Sequence, residues 1–186
     1  MYEQYGTEKM LIRLFDIVFS LVGLIFLSPL FVLLFFLGWI DNGSPFFLQK
    51  RVGLKQKIFV LVKFRSMPIN TLSLPTHELD EANISKYGKF IRSSKLDEIP
   101  QLINVLIGDM SFVGARPCLP EQDELIRYRH DFNIYKYRPG ITGLAQIKKI
   151  DMSDPLKLAY IEKKMYQSLN IKQYFSYIFK TIFYLI

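Results

Sequence analysis

The pattern of apolar and polar positions divides the chain into one long greasy stretch followed by short amphipathic segments. Residues 17–40, IVFSLVGLIFLSPLFVLLFFLGWI, carry no charge. That length and hydropathy suit a helix embedded in a bilayer. Trp39 and Ile40 close the stretch, with no small-residue cleavage pattern of a signal peptide after it. Ser28-Pro29 stands in its middle. Proline lacks an amide donor and crowds the carbonyl four residues earlier, so the helix is expected to kink there. The Ser28 hydroxyl can bond a carbonyl released by that break, which makes it tolerable in lipid. Lys9 and Arg13 precede the stretch, and Lys50, Arg51, Lys55 and Lys57 follow it. Positive charge on both flanks places both on the cytoplasmic side. A helix that enters, bends at Ser28-Pro29 and leaves by the same face meets that condition; a kinked span is the other reading.

Beyond the apolar stretch, Asn42-Gly43-Ser44-Pro45 marks a turn. Residues 46–49 and 57–65 predict two strands around a hairpin containing Gly53. In the second strand Ile58, Val60, Val62 and Phe64 share one face, and Phe59, Leu61, Lys63 and Arg65 the other. Lys63 and Arg65 then project side by side, either as solvated edge charges or as part of a site. Residues 70–85 are polar, contain Pro75, and predict a loop with a short helical piece. Residues 86–94 predict a short basic helix. Residues 98–107 predict another, with Ile99, Leu102, Ile103 and Leu106 on one face and Gly108 as its C-terminal cap. Residues 112–117 predict a turn bounded by Gly and Pro, and 122–130 a polar helix. Arg138-Pro139-Gly140 has the order of a type II turn. Residues 155–169 predict a helix with Pro155 in its first turn. The aromatic 171–186 segment reads either as an interfacial helix or as a helix docked in a core.

The expected fold class is α+β, mostly α: a membrane-resident helix-break-helix joined to a small globular part with a short β-hairpin and interfacial amphipathic helices. The expected division is residues 1–41 for the re-entrant membrane helix and 42–186 for a cytoplasmic catalytic domain. At 186 residues this is one domain with a membrane appendage. Composition adds an electrostatic constraint. The net charge is +7, with 16 Phe and 11 Tyr, which suits nucleic acid, an anionic membrane surface or a phosphorylated substrate. Cys118 is the single cysteine, so no intrachain disulfide forms, and His77 and His130 lie far apart, which argues against a structural zinc site.

The segment Arg92-Ser-Ser-Lys-Leu-Asp97-Glu98-Ile-Pro100 carries the candidate chemistry. Pro100 costs roughly 3 kcal/mol inside a helix but little in a first turn. The helix is therefore expected to start near Asp97, with the Asp97 carboxylate at the positive end of the helix dipole. That environment favours the ionised form, suited to a nucleophile or metal ligand. Glu98 is expected to point elsewhere. Ordinary capping would explain the same residues, but Arg92, Arg116 and Arg138 lie in short segments flanking helices or punctuated by Gly and Pro. Arginine suits bidentate phosphate contacts. Carboxylates among arginines beside a lipid-embedded anchor point to phosphoryl chemistry at a membrane surface, with Mg²⁺.

The same residues carry a resemblance. The chain resembles the monotopic phosphoglycosyl transferases, or bacterial sugar transferases, from about Lys9 to the C-terminal helix. The likeness rests on Ser28-Pro29, Lys63-Phe64-Arg65-Ser66-Met67, Arg92 through Leu106 (RSSKLDEIPQLINVL), Gly108 through Pro117 (GDMSFVGARP) and Arg138 through Gly143 (RPGITG). It implies a re-entrant helix bent at the Ser-Pro pair, in the bacterial inner membrane with the catalytic part on the cytoplasmic face. It also implies a UDP-sugar donor, undecaprenyl phosphate as acceptor and Mg²⁺ as cofactor. Asp97 matches the family nucleophile, and a metal ligand, and Glu98 its dyad partner. Lys63, Arg65, Arg92, Arg116 and Arg138 are the candidate substrate and phosphate ligands. The implied reaction forms a phosphosugar on Asp97 with release of UMP, then passes it to the polyprenyl phosphate, as the first membrane step of glycoconjugate assembly. Two departures stand out. Ala115-Arg116-Pro117 replaces a common Pro-Arg-Pro, and Ile147-Lys148-Lys149-Ile150 follows Gln146 where many members have an Asn-Gly-Arg-like segment. The likeness is to the small type of member, without an N-terminal multi-span region. Nucleic acid is not an expected partner, and a homodimer is one option for the assembly. The competing reading is a non-catalytic, basic, membrane-anchored binding module, which leaves the Asp97-Glu98-Pro100 arrangement unexplained.

Overall fold

A computed structural model describes residues 2–69 and 84–185 of the chain. Two helices open it: α1 (Tyr2–Phe26) and α2 (Ser28–Asn42). They are bent against each other by 65°. The break falls at Leu27, immediately before the predicted Ser28-Pro29 pair, which opens α2. Pro29 has no amide hydrogen to offer the Ile25 carbonyl, and the Ser28 hydroxyl donates to that carbonyl instead, at 2.8 Å. Taken singly, neither helix is long and apolar enough to cross a membrane; together the bent pair is. Their outward side chains are apolar, and Phe26 and Ile40 are 80% and 83% exposed. A contiguous apolar surface of this kind calls for a non-aqueous partner.

The inward side of α1 is different. Asp16 and Ser20 are buried, and Asp16 Oδ1 accepts from the Ser111 hydroxyl, the Phe112 amide and the Tyr174 hydroxyl at 2.8–3.0 Å. The first charge upstream of the apolar stretch is thus a buried anchor rather than a surface charge. Arg13 donates to the carbonyls of Val105 and Leu106 at 2.6 and 2.8 Å.

The hairpin follows. Strands β1 (Phe46–Val52) and β2 (Ile58–Phe64) pair antiparallel, with Phe47 opposite Lys63 and Arg51 opposite Phe59. The first strand runs three residues beyond the expected end at residue 49. Phe59 and Leu61 are buried while Ile58 and Val60 are exposed, so the face bearing Lys63 and Arg65 is the inner one. Phe64, at the strand end, joins Leu34 and Ile91 in the core beneath α2. Residues 70–83 of the expected polar loop lie outside the described residues. Ser85 caps α3 (Lys86–Ser93) by accepting from the Gly88 amide at 2.9 Å.

The helix expected to begin near Asp97 begins later. Lys95 adopts a left-handed conformation (φ 58°), residues Leu96–Glu98 make one 3₁₀ turn, and α4 spans Gln101–Ile107 with Pro100 just before it. Pro100 is tolerated there, as predicted, because the first helical amides need no intrahelical partner. Asp97 is therefore not the N-cap of α4, and the helix dipole does not hold its carboxylate. Gly108 closes α4 at φ +103°, a conformation that strains any residue with a Cβ.

Two segments expected as turns each contribute to a short strand, Phe112-Val113 of residues 112–117 and Gly140 of Arg138-Pro139-Gly140. β3 (Ser111–Val113) and β4 (Gly140–Thr142) pair in parallel, with Ser111 opposite Gly140 and Val113 opposite Thr142. Arg138-Pro139-Gly140 makes no type II turn. Gly140 is required by proximity: a Cβ there would lie 2.0 Å from the Gly114 nitrogen. Between the strands lies α5 (Asp123–Asp131); after them come α6 (Leu144–Ile147), α7 (Pro155–Ser168) and α8 (Ile171–Leu185). Tyr174 and Tyr177 of α8 are buried, whereas Phe179, Ile182 and Phe183 are exposed. The C-terminal helix is docked along one face and apolar on the other. The architecture is mostly helical, with a small hairpin, as the α+β reading anticipates, and the parallel β3–β4 pair is an addition to it.

Candidate active site

The inner face of the hairpin meets the 3₁₀ turn before α4. Asn104, buried on α4, fastens the two. Its side-chain amide donates to the Val60 carbonyl at 2.7 Å and its oxygen accepts from the Val62 amide at 3.0 Å. One side chain thus completes both hydrogen-bonding functions of a stretch of β2. That fixes where the next inward residue, Lys63, points.

Lys63 Nζ donates to Glu98 Oε1 at 2.8 Å and lies 3.9 Å from Asp97 Oδ2. Arg116 Nη2 lies 3.5 Å from the same Glu98 oxygen. The two carboxylates thus share Lys63 but differ in surroundings, as adjacent residues on a tight turn do. Burial opposes ionisation of Glu98, but Lys63 and Arg116 outweigh it and hold the carboxyl down at about 2. Asp97 is only 8% exposed. Burial pushes its carboxyl up, with Lys63 pulling the other way and the Glu98 charge adding to the rise. The order is the reverse of the expected dipole effect: Glu98 is the settled anion and Asp97 the one whose charge is disfavoured.

Lys63, Arg116 and Arg92 are brought around the pair. Arg92 acts on Asp97 through space, and its Nη1 lies 3.6 Å from Met67 Sδ. Arg65 stacks its guanidinium 5.7 Å from the Phe47 ring centre, and its buried Nε has no hydrogen-bond partner among the described residues. Arg138 is not brought there. Its Nε donates to the Gly108 carbonyl at 2.7 Å, at the far end of α4 from Asp97.

Arg51 is an addition, a residue that the sequence places only among flanking charges. It lines the same crevice as Lys63, Glu98, Gln101 and Arg116. Its Nη1 donates to the Pro117 carbonyl at 2.9 Å, and its Nε and Nη2 donate to Gln49 Oε1. Burial and the nearby Arg116 charge lower its affinity for the proton to a pKa of about 10. A signal for it exists: extending the alternation of β1 past Gln49 puts Gln49 and Arg51 on the inner face with Lys63.

The loop that carries Arg116 is braced from below. Arg129 and Glu162, each 1% exposed, form a two-point ion pair at 2.6 and 2.8 Å. Arg129 Nη2 also donates to the Arg116 carbonyl at 2.9 Å. Burial disfavours the Arg129 charge, but the Glu162 carboxylate outweighs it and holds the guanidinium protonated. Tyr166 adds a relay, accepting from the Ala115 amide at 2.8 Å and donating to the Arg138 carbonyl at 3.0 Å.

For a divalent cation the donor set is sparse. Among the described residues no group of three or more His, Cys, Asp or Glu side chains comes together. Glu98 Oε1 already faces two cationic side chains, which leaves Asp97. One carboxylate is too few ligands for a cation, so substrate phosphates and water would have to complete any Mg²⁺ shell here.

The family profile described as bacterial sugar transferase matches residues 7–186. The undecaprenyl-phosphate galactose phosphotransferase of Salmonella typhimurium is 39% identical over 159 residues, covering 76% of this chain and 33% of that protein. The UDP-glucose:undecaprenyl-phosphate glucose-1-phosphate transferase of Klebsiella pneumoniae is 40% identical over 149 residues, covering 76% of this chain and 32% of its own length. The exopolysaccharide production protein ExoY of Sinorhizobium fredii is 34% identical over 189 residues, covering 91% of this chain and 83% of that protein. The chain thus spans about a third of the first two relatives and most of the third. The extent of the profile match, taken with the identity to ExoY across most of both chains, shows that this chain belongs to the bacterial sugar transferase family.

Proposed function

We propose that this protein transfers a sugar-1-phosphate from a UDP-sugar to undecaprenyl phosphate, releasing UMP, through a covalent phosphosugar–Asp97 intermediate. The observation that carries this reading is the Asp97–Glu98 pair set against Lys63 and Arg116 (3.9, 2.8 and 3.5 Å), in a chain whose first two helices expose an apolar surface. In the first step an Asp97 oxygen bonds to the β-phosphorus of the donor. The bond from that phosphorus to the oxygen bridging the two phosphates breaks, and UMP leaves with the electron pair. In the second step an oxygen of the polyprenyl phosphate bonds to the same phosphorus, and Asp97 departs as a carboxylate. Two displacements replace one difficult encounter between two anions.

The neighbours divide the remaining work. Glu98, settled as an anion, orients Lys63 and Arg116 rather than attacking. Arg116 keeps a side chain 38% exposed, so its fork can turn to the transferring phosphates and stabilise charge that develops there. Burial of Asp97 disfavours a resting carboxylate and so favours a charge that is relieved by bond formation. Asp97 would hold Mg²⁺, which supplies neutralisation of the donor's diphosphate charge when bound. The exposed apolar faces of α1 and α2 support a re-entrant seat in the cytoplasmic face of the bacterial inner membrane. In that seat the dyad would act on a polyprenyl phosphate held in the same leaflet. The product would be the first lipid-linked intermediate of a glycoconjugate.

The test is to incubate the protein with a panel of UDP-sugars and Mg²⁺, without acceptor, and read intact and peptide masses. The expected result is a phosphosugar on the peptide containing residue 97, with one donor preferred. Turnover without any adduct at residue 97, or an adduct on another side chain, would overturn the nucleophile.

A further inference from the structure

A second cleft, of about 240 Å³, opens at the other end of α4. Lys9, Arg13, Lys55, Lys136 and Arg138 line it, with only Glu8 and Asp16 as carboxylates. The Asp16 carboxylate is already engaged by three donors. Arg13, Lys55, Lys136 and Arg138 form no salt bridge among the described residues. Arg13 and Arg138 also crowd each other. Both Nη2 atoms come within 4.0 Å of where a Cβ on Gly108 would stand, and what lies between them is the carbonyl end of a short helix. Partial charges on carbonyls do not balance two guanidinium ions. Like charges gathered around an open volume make a site that attracts an anion.

The rest of the wall says which anion. Ile12, Leu54, Tyr137 and Leu169 make the remaining lining apolar or aromatic. Residues 9, 12, 13 and 16 form one stripe of α1, and the uncharged stretch starts at residue 17, directly below. Just below the cleft, Ile17 and Phe19 flank that stripe and remain 38% and 37% exposed. A ligand with a phosphate in the cleft has a greasy track on which to lay hydrocarbon.

We propose that this cleft binds the phosphodiester headgroup of an anionic phospholipid, with its acyl chains along α1. The inference rests on the membrane seat of α1 and α2 and is independent of the Asp97 chemistry. The site lies at the opposite end of α4 from the dyad, so a lipid held there does not compete for the reacting position. Its role is to set the depth and tilt of α1, and through Arg13 and Arg138 the position of the α4 C-terminus. Each basic residue close to an anionic lipid surface strengthens binding about fivefold, so removing two weakens capture roughly thirtyfold.

The test uses the full chain reconstituted in vesicles or nanodiscs of phosphatidylcholine, with or without phosphatidylglycerol, and native mass spectrometry of retained lipid. Lys55 and Lys136 are exposed and make no side-chain hydrogen bond among the described residues, so Lys55→Gln/Lys136→Gln is the informative variant. Wild type and Asp97→Asn are expected to retain phosphatidylglycerol, and the double lysine variant to bind it roughly thirtyfold more weakly. All three are expected to float equally on neutral vesicles. Failure to float on neutral vesicles would overturn the membrane seat and the lipid site with it. Flotation without retained phosphatidylglycerol, or retention that depends on Asp97 but not on the lysines, would overturn the lipid site alone. Displacement of every retained lipid by millimolar inorganic phosphate, with no preference for phosphatidylglycerol, would mark a site for free phosphate instead and overturn the lipid assignment.

Discussion

Two carboxylate–arginine groups lie on either side of the Arg116 loop, and they are built to opposite specifications. Arg129 and Glu162 are sealed, matched one to one, and joined by two short hydrogen bonds. Glu98 and Asp97 face Lys63, Arg116, Arg92 and Arg51, an excess of positive charge, and Arg116 remains open to solvent. The sealed pair has no capacity for another ligand; its bond to the Arg116 carbonyl makes it a brace. The open group has cationic groups awaiting an anion. The contrast separates a structural ion pair from a functional one by charge balance and access, where residue types alone would not.

Asp97→Asn sharpens that contrast most. UMP release should fall on the order of 10⁴-fold or more, since an amide is no nucleophile, while thermal stability holds or rises because a buried charge is gone. A near-native turnover in that variant would assign the two groups wrongly. Glu162→Gln should do the reverse. Leaving Arg129 buried without its counter-ion should cost about 3–5 kcal/mol of stability, read as a lowered unfolding midpoint, with activity lost only as the Arg116 loop loosens. Replacing both partners together, as Arg129→Met with Glu162→Leu, should restore much of the stability and so mark the brace as structural.

Arg116→Lys should lower kcat/KM about 100-fold with little change in unfolding midpoint, because the charge persists but the two-point grip on phosphate does not. Equal losses in stability and activity would instead make Arg116 part of the brace. The smallest effect is on acid stability. Glu98 is held below its ordinary value of 4.5, at about 2, so its contribution is fully present above pH 4.5 and is lost as pH falls through that window. Glu98→Gln should flatten the loss of stability between pH 4.5 and 2, measured by denaturation at each pH. Asp97, raised above its ordinary 3.8, has the other sign. Its ionisation does not stabilise the fold, and UMP release should rise with pH through a midpoint above 3.8.

Much of the fold and of the dyad is legible in the residues alone. The break in the apolar stretch is readable because Pro29 removes a donor in any fold, and Ser28 repairs the loss locally. The pairing of the hairpin, the inward face of β2 that carries Lys63, and the Gly108 cap follow from period and from glycine. The dyad stands out as Asp97-Glu98, yet its electrostatics do not follow from its position in the chain. A helix starting at Asp97 would put that carboxylate on a dipole; a left-handed Lys95 and a 3₁₀ turn intervene, and burial governs Asp97 instead. Arg138 looks like a phosphate ligand because Pro139 and Gly140 after it signal a turn, but that segment leads into an extended strand and the side chain caps α4. Arg51 is easily passed over, because polar residues from Gln49 onward resemble the end of a strand whose alternation in fact continues to Val52.

Neighbours along the chain dictate the kink, the alternation of the hairpin, several helix ends and the motifs that place the protein in its family. Neighbours across the chain dictate the rest. Asp16 becomes an anchor only when residues 111, 112 and 174 arrive around it, and Asn104 positions Lys63 only when α4 lies against β2. Parallel pairing of β3 with β4 requires two segments some thirty residues apart to meet at glycine, and no local pattern announces it. A charge acquires its role from burial and partners, and both are properties of the packed chain.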